Sequence, residues 1–361
     1  MNAAQKLNDV GQSLWLDNIT RNLLSSGTLG KYVDEWAVTG LTSNPSIFNQ
    51  AIGKSADYDD DIRASLKKGM SSEDLFFDLA QSDLARAAEL FQPVYDRTDG
   101  VDGWVSLEVS PMLAYDTKGT IEAAKELHAD ANRHNLFIKI PGTPEGIPAI
   151  EEAIFSGVPV NVTLLFSREH YLAAAEAYLR GVERRIEKGL NPNVGSVASL
   201  FISRWDAAIA EKAPADLKNK LGIAIGQDCY KAYCDFLTTP RFLRARNNGA
   251  RAQRLLWAST GTKDPAAPDT MYVEAFASPF TVNTMPEPTL KAFADHGKVG
   301  EVLKADGGES QATLAKFAEA GVDTKALAAK LQKEGAESFV KAWTELMGVI
   351  EGKGEALKKV G

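Results

Sequence analysis

The sequence predicts an α/β protein, a (β/α)8 TIM barrel with additional helices. Two observations carry the prediction. Short β-type runs recur along the chain, each followed by a longer helical pattern. Several of these runs are nearly all apolar, as strands buried on both faces must be. The runs are Ser13–Asp17, Glu35–Leu41, Gly103–Val109, Leu136–Ile140, Pro159–Leu164, Val194–Leu200, Arg254–Ser259 and Met271–Phe276, eight in all. Strands alternating with helices give a parallel sheet, and eight such units close into a barrel.

Taken in order, most of the runs lead into polar residues. Ser-Leu-Trp-Leu leads into Asp17, and Val-Thr-Gly-Leu leads into Thr42 and Asn44. Val-Ser-Leu precedes Glu108, and Leu-Phe-Ile precedes Lys139. The fifth run holds Asn161 and Thr163, the sixth ends near Ser199 and Arg204, and the seventh ends on Ser259. Met271–Phe276 completes the count. Between the runs lie amphipathic stretches such as Gly119–His134 and His170–Lys188. Two connections, Asn49 to Asp102 and Trp205 to Arg251, leave room for two or three helices each, and an Ala-, Lys- and Glu-rich helical tail runs from Pro286 to Gly361. No Pro/Gly/Ser linker, low-complexity tract or repeat beyond the βα unit interrupts the pattern. Residues 1–361 are therefore expected to form one domain with a C-terminal helical extension from about residue 286.

Composition narrows the function classes. Of 361 residues, 44% are hydrophobic and 24% charged, enough apolar material for a large core. The 48 acidic against 40 basic residues leave a net charge of −8, which argues against a general nucleic-acid or membrane-surface role. The cysteines, Cys229 and Cys234, fall in a helical segment and point in different directions, so neither a disulfide nor a ligand pair is expected. Unpaired thiols suggest a reducing compartment. Met1–Val10 lacks the apolar core of a signal peptide, and no run of about eighteen apolar residues occurs, so a cytoplasmic location is expected.

In a barrel of this kind function collects where strands end. Lys139 is the most informative residue there. A lysine inside an apolar strand costs several kcal/mol unless it is neutral or paired. Burial disfavours the charged form of an amine, and a neutral amine attacks a ketone to give an iminium. A lysine that snorkels outward or makes a structural ion pair is the competing reading. Asp17 and Glu108 could share the proton transfers that iminium chemistry needs. Asp17 could equally cap the turn at Asn18-Ile19-Thr20, and Glu108 could pair with Arg63 or Arg86. Three such residues on three different strand ends favour the catalytic reading over coincidence.

Thr42, Asn44, Asn161 and Thr163 offer neutral hydrogen bonds suited to sugar hydroxyls, although Thr42-Ser43-Asn44-Pro45-Ser46 also reads as a plain helix N-terminus. Ser199, Arg204, Ser259 and Lys263 follow strands six and seven, where barrels often hold phosphate. As surface residues, Arg204 and Lys263 would draw no notice. Other chemistries fit poorly. His128, His134, His170 and His296 end no strand and lack ligand spacing, so no metal is expected. Gly53-Lys54-Ser55 lacks the upstream glycine and strand of a phosphate loop, and no Gly-x-Ser-x-Gly elbow occurs.

At these residues the sequence resembles the transaldolase family. The matching segments are Gly40-Leu41-Thr42-Ser43-Asn44-Pro45-Ser46, Val105-Ser106-Leu107-Glu108-Val109-Ser110, Phe137-Ile138-Lys139-Ile140-Pro141-Gly142-Thr143 with Gly146-Ile147, and Asn161-Val162-Thr163-Leu164-Leu165-Phe166-Ser167. They occur in the family's order, and the long bacterial form with extended C-terminal helices is the closer match. The resemblance implies a class I aldolase barrel that moves a dihydroxyacetone unit between sugar phosphates in the pentose phosphate pathway. It implies Lys139 as the Schiff-base residue, Glu108 as the group that activates water, and Asp17 as the group that handles the substrate hydroxyl proton. Thr42, Asn44, Asn161, Thr163 and Ser199 would line the sugar site, with Arg204 and Ser259 on phosphate. Two residues after Ser259, where better-known members carry an arginine, this chain has Gly261; Lys263 is the candidate to replace that charge. No cofactor is implied, since the lysine serves as electron sink. The expected partners are small-molecule sugar phosphates, with no nucleic acid or membrane, and the chain is expected as a monomer or homodimer. A fructose 6-phosphate aldolase of the same family and a non-catalytic sugar-phosphate-binding barrel are the rival readings. Glu108 favours the transferase, because related aldolases tend to have a neutral residue there.

Overall fold

In the computed structural model, which describes residues 1–360, eight parallel strands form one sheet. They are β1 (Gln12–Asp17), β2 (Val38–Thr42), β3 (Val105–Glu108), β4 (Leu136–Pro141), β5 (Val160–Leu165), β6 (Ser196–Phe201), β7 (Arg254–Ala258) and β8 (Thr281–Met285). Their order is β2-β1-β8-β7-β6-β5-β4-β3. The two ends of the sheet meet through backbone bonds from Gly103 N to Thr39 O (3.0 Å) and from Leu41 N to Trp104 O (2.9 Å). The sheet thereby closes into the expected (β/α)8 barrel, and its helices lie outside.

Aromatic rings fill the barrel near the N-terminal ends of its strands. Trp104 stacks on Phe137 at 4.0 Å, and Trp15 lies 6.2 Å from Phe137. Gly40 on β2 makes room for them: a Cβ there would sit 2.6 Å from the Trp15 ring and 2.8 Å from Trp104 O. Asp102 ties the same region together, accepting from Trp15 Nε1 at 2.8 Å and from Gly103 N at 2.9 Å. These rings fill the barrel interior below the C-terminal strand ends, which are left for chemistry.

Two sequence expectations need correction. Met271–Phe276 is not a strand; Met271–Ala275 is a short helix. The buried residues Tyr272 and Val273, with Phe276 at the C-cap, follow helical spacing, since the first and last are four apart on one face. The eighth strand is Thr281–Met285, whose buried Thr281, Asn283 and Thr284 hide it from a hydropathy reading. Thr281 Oγ1 accepts from Gln12 Nε2 at 2.9 Å, which compensates its burial, and Asn283 Oδ1 accepts from Thr260 at 2.9 Å while its Nδ2 has no partner among the described residues. The second correction concerns Glu35–Leu41. Glu35 and Trp36 belong to the helix Thr28–Trp36, and the left-handed Ala37 (φ 53°) separates it from β2.

The long connections hold helices as expected, including Pro45–Lys54, Asp59–Lys67 and Ser72–Arg97 before β3. Cys229 and Cys234 lie in the helix Leu221–Leu237, both free. After β8 come the helices Glu287–His296, Ser310–Glu319 and the long Thr324–Val360. The last returns across the barrel's C-terminal mouth: Gln332 Nε2 donates to Gly142 O (2.9 Å) and Leu164 O (3.0 Å), just past β4 and within β5. Further along, Trp343 packs edge-on against Phe76 at 5.0 Å. Among the described residues no helix is long and apolar enough to cross a membrane.

Gly40→Ala is expected to destabilise the barrel by about 1–3 kcal/mol through overpacking. Gly30→Ala is the control: it sits in a helix with nothing within 4 Å of its Cβ position. There the gain in helix propensity should stabilise by about 0.5–1 kcal/mol. Urea unfolding of the two variants checks both signs.

Candidate active site

Strand register brings the central residues together. Glu108 on β3 is paired with Lys139 on β4, and Lys139 with Asn161 on β5. Glu108 and Lys139 are each only 5% exposed. Glu108 Oε2 lies 2.9 Å from Lys139 Nζ, and Nζ also donates to Ser43 O at 2.9 Å. Among the described residues no other donor reaches the Glu108 carboxylate, so it keeps acceptor capacity beyond the contact to Nζ. Burial pushes the Glu108 carboxyl above its ordinary range, against the pull of the Lys139 charge. The surface pairing considered for Glu108 does not occur: Arg63 is engaged with Asp60 at 2.7 Å.

Asp17 ends β1 and is paired across the sheet with Thr42. Thr42 Oγ1 donates to Asp17 Oδ1 at 2.8 Å and meets Thr284 Oγ1 at 2.6 Å. Burial raises the Asp17 carboxyl, opposed by the charge of Lys139, the Thr42 hydrogen bond and the charge of Lys263. Asp17 is not a helix cap; Thr20 takes that role, accepting from Leu23 N at 3.0 Å. Asn44 does cap its helix, accepting from Ile47 N at 3.1 Å, and it lines the cavity as well.

A cavity of about 150 Å3 gathers these groups at the C-terminal ends of the strands. Asp17, Thr42, Asn44, Lys139, Asn161, Thr163, Ser199, Arg204, Ser259 and Lys263 all line it, and Glu108 stands behind Lys139. Asn161 is fixed at both ends of its amide, accepting from Ser199 Oγ at 2.7 Å and donating to Ser106 Oγ at 3.2 Å. Among the described residues, Thr163 Oγ1 is buried without a partner. Ser259 holds a left-handed φ of 55°, a strained conformation for serine, and its hydroxyl meets Ser203 Oγ at 2.8 Å.

The cavity also holds two cationic side chains, Arg204 and Lys263. Among the described residues, Arg204 and Lys263 make no ion pair and no side-chain hydrogen bond. The Arg204 guanidinium carbon lies 5.2 Å from the Phe201 ring and 6.0 Å from that of Phe339, and burial lowers the pKa of the group. Two unpaired cations beside a polar cavity can hold a dianion such as phosphate. A larger cavity, about 610 Å3, lies at the N-terminal end of the barrel beside Trp104, Phe137 and Arg254. It holds none of the candidate residues, so chemistry rather than size locates the site.

A profile of the family described as Transaldolase/Fructose-6-phosphate aldolase matches residues 14–350. The chain belongs to this family. A transaldolase of Arthrobacter sp. (strain FB24) is 43% identical over 357 residues, covering 96% of this chain and 96% of the relative. One of Neisseria gonorrhoeae is 41% identical over 342 residues, covering 94% and 97%. One of Thiobacillus denitrificans is 42% identical over 358 residues, covering 97% and 100%.

Sequence reasoning left out Phe201, Thr284, Pro286 and Phe339, which also line the cavity. Phe201 was within reach, since it lies two residues beyond Ser199 on one strand and so on the same face. Thr284 and Pro286 were hidden by the misplaced eighth strand. Phe339 arrives from a 37-residue helix, and nothing local in the sequence marks it.

The raised Asp17 carboxyl has a consequence for stability. A group whose folded-state pKa lies above its unfolded value stabilises the fold below the unfolded value, and that contribution is lost as pH rises through the folded value. Asp17→Asn keeps an acceptor for Thr42 and removes the titration. Its melting temperature should exceed that of the native protein at neutral pH, and the difference should shrink as pH falls through the carboxylate range.

Proposed function

We propose that the chain is a transaldolase, moving a dihydroxyacetone unit between sugar phosphates through a Schiff base on Lys139. The observation that carries this reading is a buried amine at the end of a barrel strand, 2.9 Å from one raised carboxylate and sharing its cavity with another. The reaction joins sedoheptulose 7-phosphate and glyceraldehyde 3-phosphate to erythrose 4-phosphate and fructose 6-phosphate, within the pentose phosphate pathway.

The chemistry follows from the placement of charges. Glu108 takes a proton from the Lys139 ammonium, and the freed amine adds to the ketone carbon. A second proton passes from the nitrogen to the former ketone oxygen, giving the carbinolamine. Glu108 returns its proton to that hydroxyl, which leaves as water, and the nitrogen lone pair forms the iminium. Asp17, in the same cavity, takes the proton of the hydroxyl one carbon beyond the α-carbon. The carbon–carbon bond breaks, the aldose phosphate leaves as an aldehyde, and its bonding electrons flow into the iminium to give an enamine. The acceptor aldehyde adds to that enamine with the proton returned from Asp17, and Glu108 assists water in hydrolysing the new iminium. Raised carboxyls suit this work, because each must hold a proton in one step and release it in the next.

Arg204, Ser259 and Lys263 support a phosphate end to the cavity, with Lys263 carrying the charge that Gly261 cannot. Thr42, Asn44, Asn161, Thr163 and Ser199 offer hydroxyl-sized hydrogen-bond partners. The unpaired thiols Cys229 and Cys234 suit the reducing cytoplasm, where this pathway would run.

A coupled assay with fructose 6-phosphate, with and without erythrose 4-phosphate, tests transfer against simple cleavage. Turnover should depend on the acceptor; equal turnover without it would make the enzyme an aldolase. Glu108→Gln is expected to lower kcat by about 10²- to 10⁴-fold, as loss of a general acid–base does, while the far-ultraviolet circular dichroism stays native. The acid limb of the native kcat/KM profile should lie above the ordinary carboxylate range, as burial of Glu108 and Asp17 requires.

A further inference from the structure

The helix Thr324–Val360 presents Gln332, Gly335 and Phe339 to the barrel mouth, at spacings of three and four that stack side chains on one helix face. Gln332, 7% exposed, spends its amide on the carbonyls of Gly142 and Leu164. Those carbonyls belong to the chain ends that carry Lys139 and Thr163. Leu164 itself is left-handed (φ 60°), a conformation that persists only where the surroundings hold it.

Gly335 stands one turn further along. A Cβ there would lie 2.9 Å from Leu164 Cδ2 and 3.1 Å from Arg204 Nη1. Glycine inside a helix is a poor choice beside alanine on propensity alone. The approach of the Leu164 side chain and of the Arg204 guanidinium to the helix backbone supplies the reason for it. Phe339 then completes the wall, 6.0 Å from that guanidinium carbon and 5.9 Å from Lys139 Nζ.

We propose that Gly335 is a positioning residue for the substrate phosphate: its missing side chain lets Arg204 lie against the C-terminal helix and face the cavity, at a distance that Gln332 holds. The proposal rests on the reading of Arg204 as a phosphate ligand given above. It makes the C-terminal helix a working wall of the sugar-phosphate site.

Gly335→Ala adds one methyl group and a better helix former, so stability and binding should move in different directions. The melting temperature should hold or rise. The KM for fructose 6-phosphate and the inhibition constant of inorganic phosphate should both rise by about threefold to tenfold, with kcat within about twofold of the native value. In an Arg204→Ala background the same substitution should change neither constant, because the residue it acts through is gone. Unchanged constants in the single variant would overturn the proposal, as would a further rise in the Arg204→Ala background. A melting temperature that falls together with kcat would mark ordinary overpacking and overturn it too. If inorganic phosphate fails to compete with fructose 6-phosphate in the native enzyme, or Arg204→Ala leaves KM unchanged, the phosphate reading itself fails and takes the proposal with it.

Discussion

The Lys139–Glu108 pair is the constraint on which the site depends. Two charges, each 5% exposed and 2.9 Å apart, are costly to keep from water, and removing one partner of such a pair typically costs about 3–5 kcal/mol. A hydrophobic pair of similar size would serve stability at least as well. The pair therefore fits a catalytic purpose better than a structural one. Among the described residues nothing in the barrel satisfies it completely: the Glu108 oxygens keep acceptor capacity, and the Thr163 hydroxyl nearby on β5 is unpartnered. A polar centre left partly unsatisfied inside a well-packed frame is where substrate and water are received.

The frame makes this possible through register. In-register pairing sets Glu108, Lys139 and Asn161 side by side on three strands, and side chains alternate so that all three point into the barrel. The stacked rings of Trp104 and Phe137 fill the barrel interior below them. With the C-terminal helix held across the mouth by Gln332, water is restricted around the amine, which strengthens each electrostatic interaction within. Strain at Leu164 and Ser259 lies beside this centre, consistent with backbone shaped for the site rather than for the fold alone.

Much of this was legible in the sequence, and for a physical reason. Apolar runs such as Leu136–Ile140 mark strands buried on both faces, and a charged residue interrupting such a run stands out against them. Asp17, Glu108 and Lys139 were visible in that way, and so were Asn161 and Thr163. β8 was not, because its buried positions Thr281, Asn283 and Thr284 are polar and are stabilised by partners distant in sequence, such as Gln12. Met271–Phe276 drew the assignment instead, since a short apolar run reads equally as helix or strand. The roles of Gln332, Gly335 and Phe339 depend on where a long helix comes to rest, which is a tertiary fact with no local signature. Gly261 shows the reverse case: the absence of a side chain is plain in the sequence, while the proximity of Lys263 to the same cavity is plain only in three dimensions.

Schiff-base catalysis requires that Lys139 become covalently bonded to the substrate. Incubation of the protein with fructose 6-phosphate and borohydride, followed by peptide mass mapping, tests it most directly. A reduced sugar adduct is expected on the peptide that holds Lys139, formed only when substrate is present. No adduct, or an adduct confined to another lysine, would contradict it.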